Sequence, residues 1–145
     1  MSFELLGDLD WLAVVIAAAA YFVLGAVWYA RPVLGKVWMG GMQMPAESER
    51  PGPTIFAVPA VGSLLSAIAL GMIAAASATD TVGEGIVLGL VVGVGFAIAI
   101  SIVTATFESN KPKPMVWGAV NAGYHLVGNL PAAIIIAAII IAAIQ

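Results

Sequence analysis

The fold is decided by the run from Val116 to Ala143, in which Asn121-Ala122-Gly123-Tyr124-His125-Leu126-Val127-Gly128-Asn129 leads into Leu130-Pro131 and then into an unbroken series of isoleucines and alanines. The run holds no charged residue and exceeds the roughly 20 apolar residues that cross about 30 Å of hydrocarbon, so it reads as a membrane span. Inside it sit two asparagines and the chain's only histidine. Polar side chains at membrane depth cost free energy unless they face a protein interior or a wet cavity, which makes Asn121, His125 and Asn129 the first candidates for function. On a helix they recur every four residues and form one slowly drifting stripe.

Working outward, three further spans are expected: about 11–29, 54–76 and 83–107, with the last at about 116–143. The chain is 62% hydrophobic and 9% charged with a mean hydropathy of +1.08, values that exclude a soluble domain of this size. The reading is an all-α membrane protein, four transmembrane helices in an antiparallel up-down bundle, forming a single integral membrane domain over 1–145. With no cysteine, disulfides, thiolate metal sites and cysteine nucleophiles are excluded. Five basic residues are too few and too dispersed for a nucleic-acid footprint.

The N-terminal region lacks the positive stretch of a cleavable signal, since Glu4, Asp8 and Asp10 precede the first apolar run. Asp8 or Asp10 is expected to cap the first helix. Tyr21 falls near mid-depth and should direct its hydroxyl into the bundle. Trp28, Tyr29 and Trp38 are expected to form an aromatic belt, followed by a short interfacial helix around Val33 to Met39. Met42 and Met44 are read as apolar packing residues in preference to soft-metal ligands.

In the second span, Ser63 and Ser66 are expected mainly to bond back to their own helical turn. Thr81-Val82-Gly83-Glu84 matches a capping box. Gly85, Gly89 and Gly93 follow at four-residue spacing, a helix-packing face whose partner is left open between this chain and another copy. Past Phe96 the face is expected to change, as Ser101 and Thr104 bring in hydroxyls. Glu108 opposes the negative end of the helix dipole and calls for a partner among Lys111, Lys113 and Arg31. In the fourth span Pro131 should bend the helix, and the Ile134–Ile141 run suits lipid contact.

Arg31, Lys36, Arg50, Lys111 and Lys113 all lie in the first and third connections, while the N-terminal region and the second connection carry only acids. The positive-inside rule then predicts that both termini lie outside the cytoplasm.

Three blocks carry a family resemblance: Asp10-Trp11-Leu12-Ala13-Val14, then Gly25-Ala26-Val27-Trp28-Tyr29 leading to Gly35-Lys36-Val37-Trp38-Met39, and Asn121-Ala122-Gly123-Tyr124-His125. They resemble the bacterial and archaeal membrane family known as domain of unknown function 1761, with Ala30-Arg31-Pro32 departing from that family's serine-proline. The resemblance implies a small four-helix protein of a prokaryotic cytoplasmic membrane and supplies no mechanism.

The polar-core candidates are Asn121, His125, Asn129, Tyr124, Tyr21, Ser63, Ser66, Ser101 and Thr104. Their first reading is hydrogen bonding that fixes helix register, in a structural or accessory membrane component that self-associates or docks a partner. The alternative is a small proton-linked transporter or channel built around His125. Catalysis, a metal site and a cofactor are not expected, because His125 has no carboxylate or second histidine at its own depth.

Overall fold

A computed structural model describes residues 3–42 and 52–144; Met44 and the tract Glu47 to Arg50 lie outside them. The described residues form helices joined by short turns, with no strand among them. Helix α1 covers Trp11–Trp28, α2 Lys36–Gly41, α3 Ala57–Ala76, α4 Val82–Val92, α5 Ala99–Phe107 and α6 Pro114–Ile144. A wide π-helical turn over Gly93–Ile98 joins α4 and α5 into one span, Val82–Phe107. Together with Trp11–Trp28, Ala57–Ala76 and Pro114–Ile140, it gives four helices long and apolar enough to cross a membrane.

Local chemistry sets the helix starts. Asp10 accepts a hydrogen bond from the Ala13 N–H at 3.0 Å and so caps α1. The Thr81–Glu84 capping box forms with both of its reciprocal bonds: Glu84 N–H donates to Thr81 Oγ1 at 3.2 Å, and Thr81 N–H donates to Glu84 Oε2 at 3.0 Å. Pro59 sits in the first turn of α3, where its missing N–H is least costly. Helix α3 ends with Ala78 at φ 52°, a left-handed conformation, and Thr79 N–H reaches back to Ala74 O at 2.9 Å. Glu108 pairs with Lys111, whose ammonium also lies 4.3 Å from the centre of the Trp117 ring.

Helix α6 is the hub. It contacts α1, α2, α3, α4 and α5, whereas among the described residues α3 meets the third span mainly through α4. Helix α1 runs antiparallel to α6, with Trp28 beside Val120 and Tyr21 beside His125. The third span is antiparallel to α6 as well, with Gly85 beside Ala137 and Ala105 beside Gly118. Helix α3 opposes α1, with Gly71 beside Leu9 and Val14. The result is the up-down order expected from the sequence, arranged as three spans around a central fourth.

That centrality changes one expectation. From Gly128 to Ile140 no residue of α6 is exposed, and Ala133 and Ala137 are wholly buried. Within the described part of the Ile134–Ile141 run, Ile136 and Ala137 are buried and Ile134, Ile135, Ala138, Ile139 and Ile140 are half-buried, so the run serves the core as well as the lipid face. The helix continues through Pro131.

The glycine face finds its partner within the same chain. A Cβ at Gly85 would fall 2.9 Å from Ala137 Cβ, one at Gly89 2.8 Å from Leu130 Cα, and one at Gly93 2.7 Å from Leu126 Cδ1. Lipid tails are as apolar as leucine, so what joins these helices is the dispersion gained when backbones approach this closely. Contrary to expectation, the face does not change after Phe96. Ala97, Ser101 and Ala105 continue the four-residue spacing, and Ala105 is fully buried against Gly118. In a regular α-helix that spacing drifts by about 40° a step. The π-helical turn takes up an extra residue, offsets part of the drift, and helps keep the small stripe on α6.

Candidate functional site

The polar residues of α6 divide into two groups along the helix. Asn121 lies near the α6 N-terminal end and receives two donors from elements that the sequence reading assigned to an interfacial belt. The Tyr29 hydroxyl donates to Asn121 Oδ1 at 2.6 Å and Trp38 Nε1 donates to the same oxygen at 3.1 Å. At the adjacent residue, Trp28 Nε1 donates to Val120 O at 3.0 Å. Trp38 reaches this position because the turn Arg31–Gly35 folds α2 back against α6. Gly35 is required there, since a side chain would run into the Tyr29 carbonyl. Trp28, Tyr29 and Trp38 are thus site residues that the sequence reading missed. The signal was present in an isolated asparagine opposite three aromatic side chains whose tips need acceptors.

His125 and Asn129 form the second group. Tyr21, almost wholly buried on α1, places its hydroxyl 2.8 Å from His125 Nδ1, with the His125 carbonyl at 3.5 Å. Asn129 Nδ2 donates to the His125 carbonyl at 2.7 Å. Tyr124 fills the space between the groups, with ring centres 5.3 Å from Tyr21, 5.2 Å from Tyr29 and 4.8 Å from His125. Such tilted and edge-on pairs add about 0.5–1.5 kcal/mol beyond area burial. Gly128 makes room for this arrangement, because any Cβ there would overlap the Tyr21 ring.

The serines separate. Ser63 is buried and faces Tyr124 from α3 without a hydrogen bond of its own. Ser66 on α3 and Ser101 on α5 line an open cleft of about 300 Å³ together with Tyr21, His125 and Asn129, so all four spans contribute polar groups to one space. Neither Ser63 nor Ser66 bonds back to its own turn, as Ser77 does to Ile73 O at 2.7 Å. Thr104 is exposed and stands apart from both groups.

Chemically, the Asn121 group is closed: one carbonyl oxygen saturated by two donors. The His125 group is half open. Among the described residues its Nδ1 has Tyr21 as a partner and its Nε2 has none. No group of three or more His, Cys, Asp or Glu that could hold a metal ion occurs among the described residues.

No curated protein and no solved structure matches the chain. A family model described as protein of unknown function (DUF1761) matches residues 12–141, nearly the whole length, and the chain belongs to that family.

Proposed function

We propose that the protein is a small accessory component of a prokaryotic cytoplasmic membrane, without catalytic activity, which associates with a further copy or a partner subunit through its lipid-facing surface. The observation that carries this reading is that the polar groups at membrane depth serve mainly to join helices. Asn121 ties α6 to α1 and α2, His125 ties α6 to α1, and Trp28 ties α1 to the α6 backbone. All eight acidic residues lie in the terminal and connecting regions or at span ends, away from His125 in sequence, so no general acid–base pair supports an enzyme. The basic first and third connections support an orientation with both termini outside the cytoplasm.

Purification in mild detergent followed by intact-mass analysis tests the association. A second copy or a stoichiometric protein retained on the chain supports the proposal; a bare monomer at every detergent concentration overturns it. An alkaline phosphatase fusion at Gln145 that is active outside the cytoplasm supports the orientation, and one that is inactive there refutes it.

A second reading, proton-linked transport, has one observation in its favour: His125 lines an open cleft. Proteoliposome flux that disappears in His125→Gln would favour that reading over the accessory role.

A further inference from the structure

The cleft beside His125 has a lining that packing alone does not require. It lies where α3 and the third span part company over α6, with Phe96 and Ile100 on one wall, Ala69 and Leu70 on the other, and His125 and Asn129 between them. Counting from Pro114 at 1.5 Å a residue, His125 is roughly 16 Å along α6, the middle of a hydrocarbon layer about 30 Å thick. Lipid tails offer nothing to a hydrogen-bonding group at that depth. Yet among the described residues four polar atoms of the lining have no partner: His125 Nε2, Asn129 Oδ1, Ser66 Oγ and Ser101 Oγ.

The Tyr21 hydroxyl and His125 Nδ1 share a bond whose direction goes with the ring tautomer. With the hydroxyl taken as donor, the ring proton sits on Nε2, which then donates into the cleft. Ser66 and Ser101 supply two more hydroxyls from opposite walls. Three potential donors and the Asn129 Oδ1 acceptor are the unpartnered polar atoms of a mainly apolar cleft, and the donors can receive an oxygen acceptor carried on an apolar body. At about 300 Å³ the space is at the small end of ligand pockets, which run from about 300 to 1,000 Å³. The π-helical turn contributes Phe96 and Ala97 to the wall and sets the azimuth of Ser101, and such turns recur at functional sites.

We propose that this cleft binds a lipid-soluble carbonyl compound, whose oxygen accepts from His125 Nε2 and the serine hydroxyls while its apolar body extends between α3 and the third span into the bilayer. The proposal goes beyond the accessory role and does not depend on it. A quinone headgroup and the ketone of a long-chain lipid share the required chemistry.

Because His125 is the only histidine, isotope-labelled histidine gives one pair of ring-nitrogen NMR signals, readable on the whole chain in lipid nanodiscs. The probes are a decyl-substituted benzoquinone, a symmetric long-chain ketone with its carbonyl at mid-chain, and the matching alkane. Saturable movement of the Nε2 signal is expected with a carbonyl probe and not with the alkane. It should weaken about tenfold in Ser66→Ala/Ser101→Ala and vanish in Ala69→Phe, which fills the cleft but leaves the Tyr21–His125 contact. The resting Nδ1 signal reports that contact and so confirms folding; Ala97→Leu serves as a second filling variant. A response to the quinone alone identifies a quinone site, and a response to both probes a general carbonyl site. No saturable movement, equal movement with the alkane, or an undiminished response in both filling variants overturns the proposal.

Discussion

Tyr21 Oη and His125 Nδ1 lie 2.8 Å apart, joining α1 to α6 across 104 positions of sequence at the level of the open cleft. The contact does two things at once. It fixes the rotation of α1 against α6, and its direction is coupled to which imidazole nitrogen carries the proton.

Replacing Tyr21 by Phe keeps the ring contact with Tyr124 and removes only the hydroxyl. Hydrogen bonds between membrane helices average about 0.6 kcal/mol, so a small drop in melting temperature is expected in detergent. The larger effect should be on tautomer. Released from Tyr21, the ring-nitrogen NMR signals should shift toward a mixture of the two neutral forms, and an unchanged spectrum would contradict the assignment of Tyr21 as donor.

Asn121→Ala leaves the Tyr29 hydroxyl and the Trp38 indole without their shared acceptor. A buried polar group stripped of its partner costs about 1–3 kcal/mol. Helix α2 should loosen from α6 while the spans stay assembled. Hydrogen exchange over residues 31–41 should accelerate with little change in α1, and equal protection in both forms would show that Asn121 does not hold α2.

Gly128→Ala should be among the most damaging small changes in the chain. The added methyl overlaps the ring of Tyr21, which is enclosed on all sides and 2% exposed, so it cannot swing away. Overpacking of this kind costs about 1–3 kcal/mol. Gly95→Ala, where nothing lies within 4 Å of the new carbon, is the matched control, and equal melting temperatures for the two variants would refute the packing described.

Gly89→Leu is expected to damage the subunit itself. The side chain would be driven into the α6 backbone at Leu130, so the folded yield should fall before any change in assembly is seen. Gly62→Leu, at an open position on α3, should fold normally. A Gly89→Leu protein that melts like the parent and differs only in oligomeric state would return this face to an intermolecular role.

Ala78→Gly is expected to stabilise. Alanine at φ 52° bears a Cβ penalty of about 1–2 kcal/mol that glycine avoids, partly offset by the greater freedom glycine gains when unfolded. A rise in melting temperature is the expected result, and a fall would show that the left-handed turn after α3 is not strained.

Much of this architecture was legible in the residues. The apolar runs, the Asp10 cap, the Thr81–Glu84 box and the short helix before Met39 follow from local chemistry, and local chemistry is what a sequence displays most directly. The Asn121, His125 and Asn129 stripe also announced itself, because polar atoms in an apolar run have few innocent explanations. What could not be read was rank among the helices. The fourth span is the least apolar of four membrane-length helices, which does not by itself declare it central, so the core side of the Ile134–Ile141 run went unseen and the glycine ladder had no assigned partner. The π-helical turn at Gly93–Ile98 was hidden for a related reason. Small residues at Ala97, Ser101 and Ala105 continue the ladder in the sequence, but only a wider turn keeps them on one side, and hydroxyls at Ser101 and Thr104 suggested a change of face instead. The inward hydrogen bonds of Trp28, Tyr29 and Trp38 depended on a long-range pairing with α6.

The central position of α6 also bears on how the protein is made. Membrane spans leave the ribosome in sequence order, and the helix on which the others lean is the last of the four. Spans one and two can pair through the α1–α3 contact as they enter the bilayer. The third must wait in lipid with Gly85, Gly89 and Gly93 uncovered, and Tyr21 must wait without His125, until synthesis has passed Ala137. Assembly of this bundle is therefore a closing event that waits on insertion of the fourth span, the one on which the other three lean.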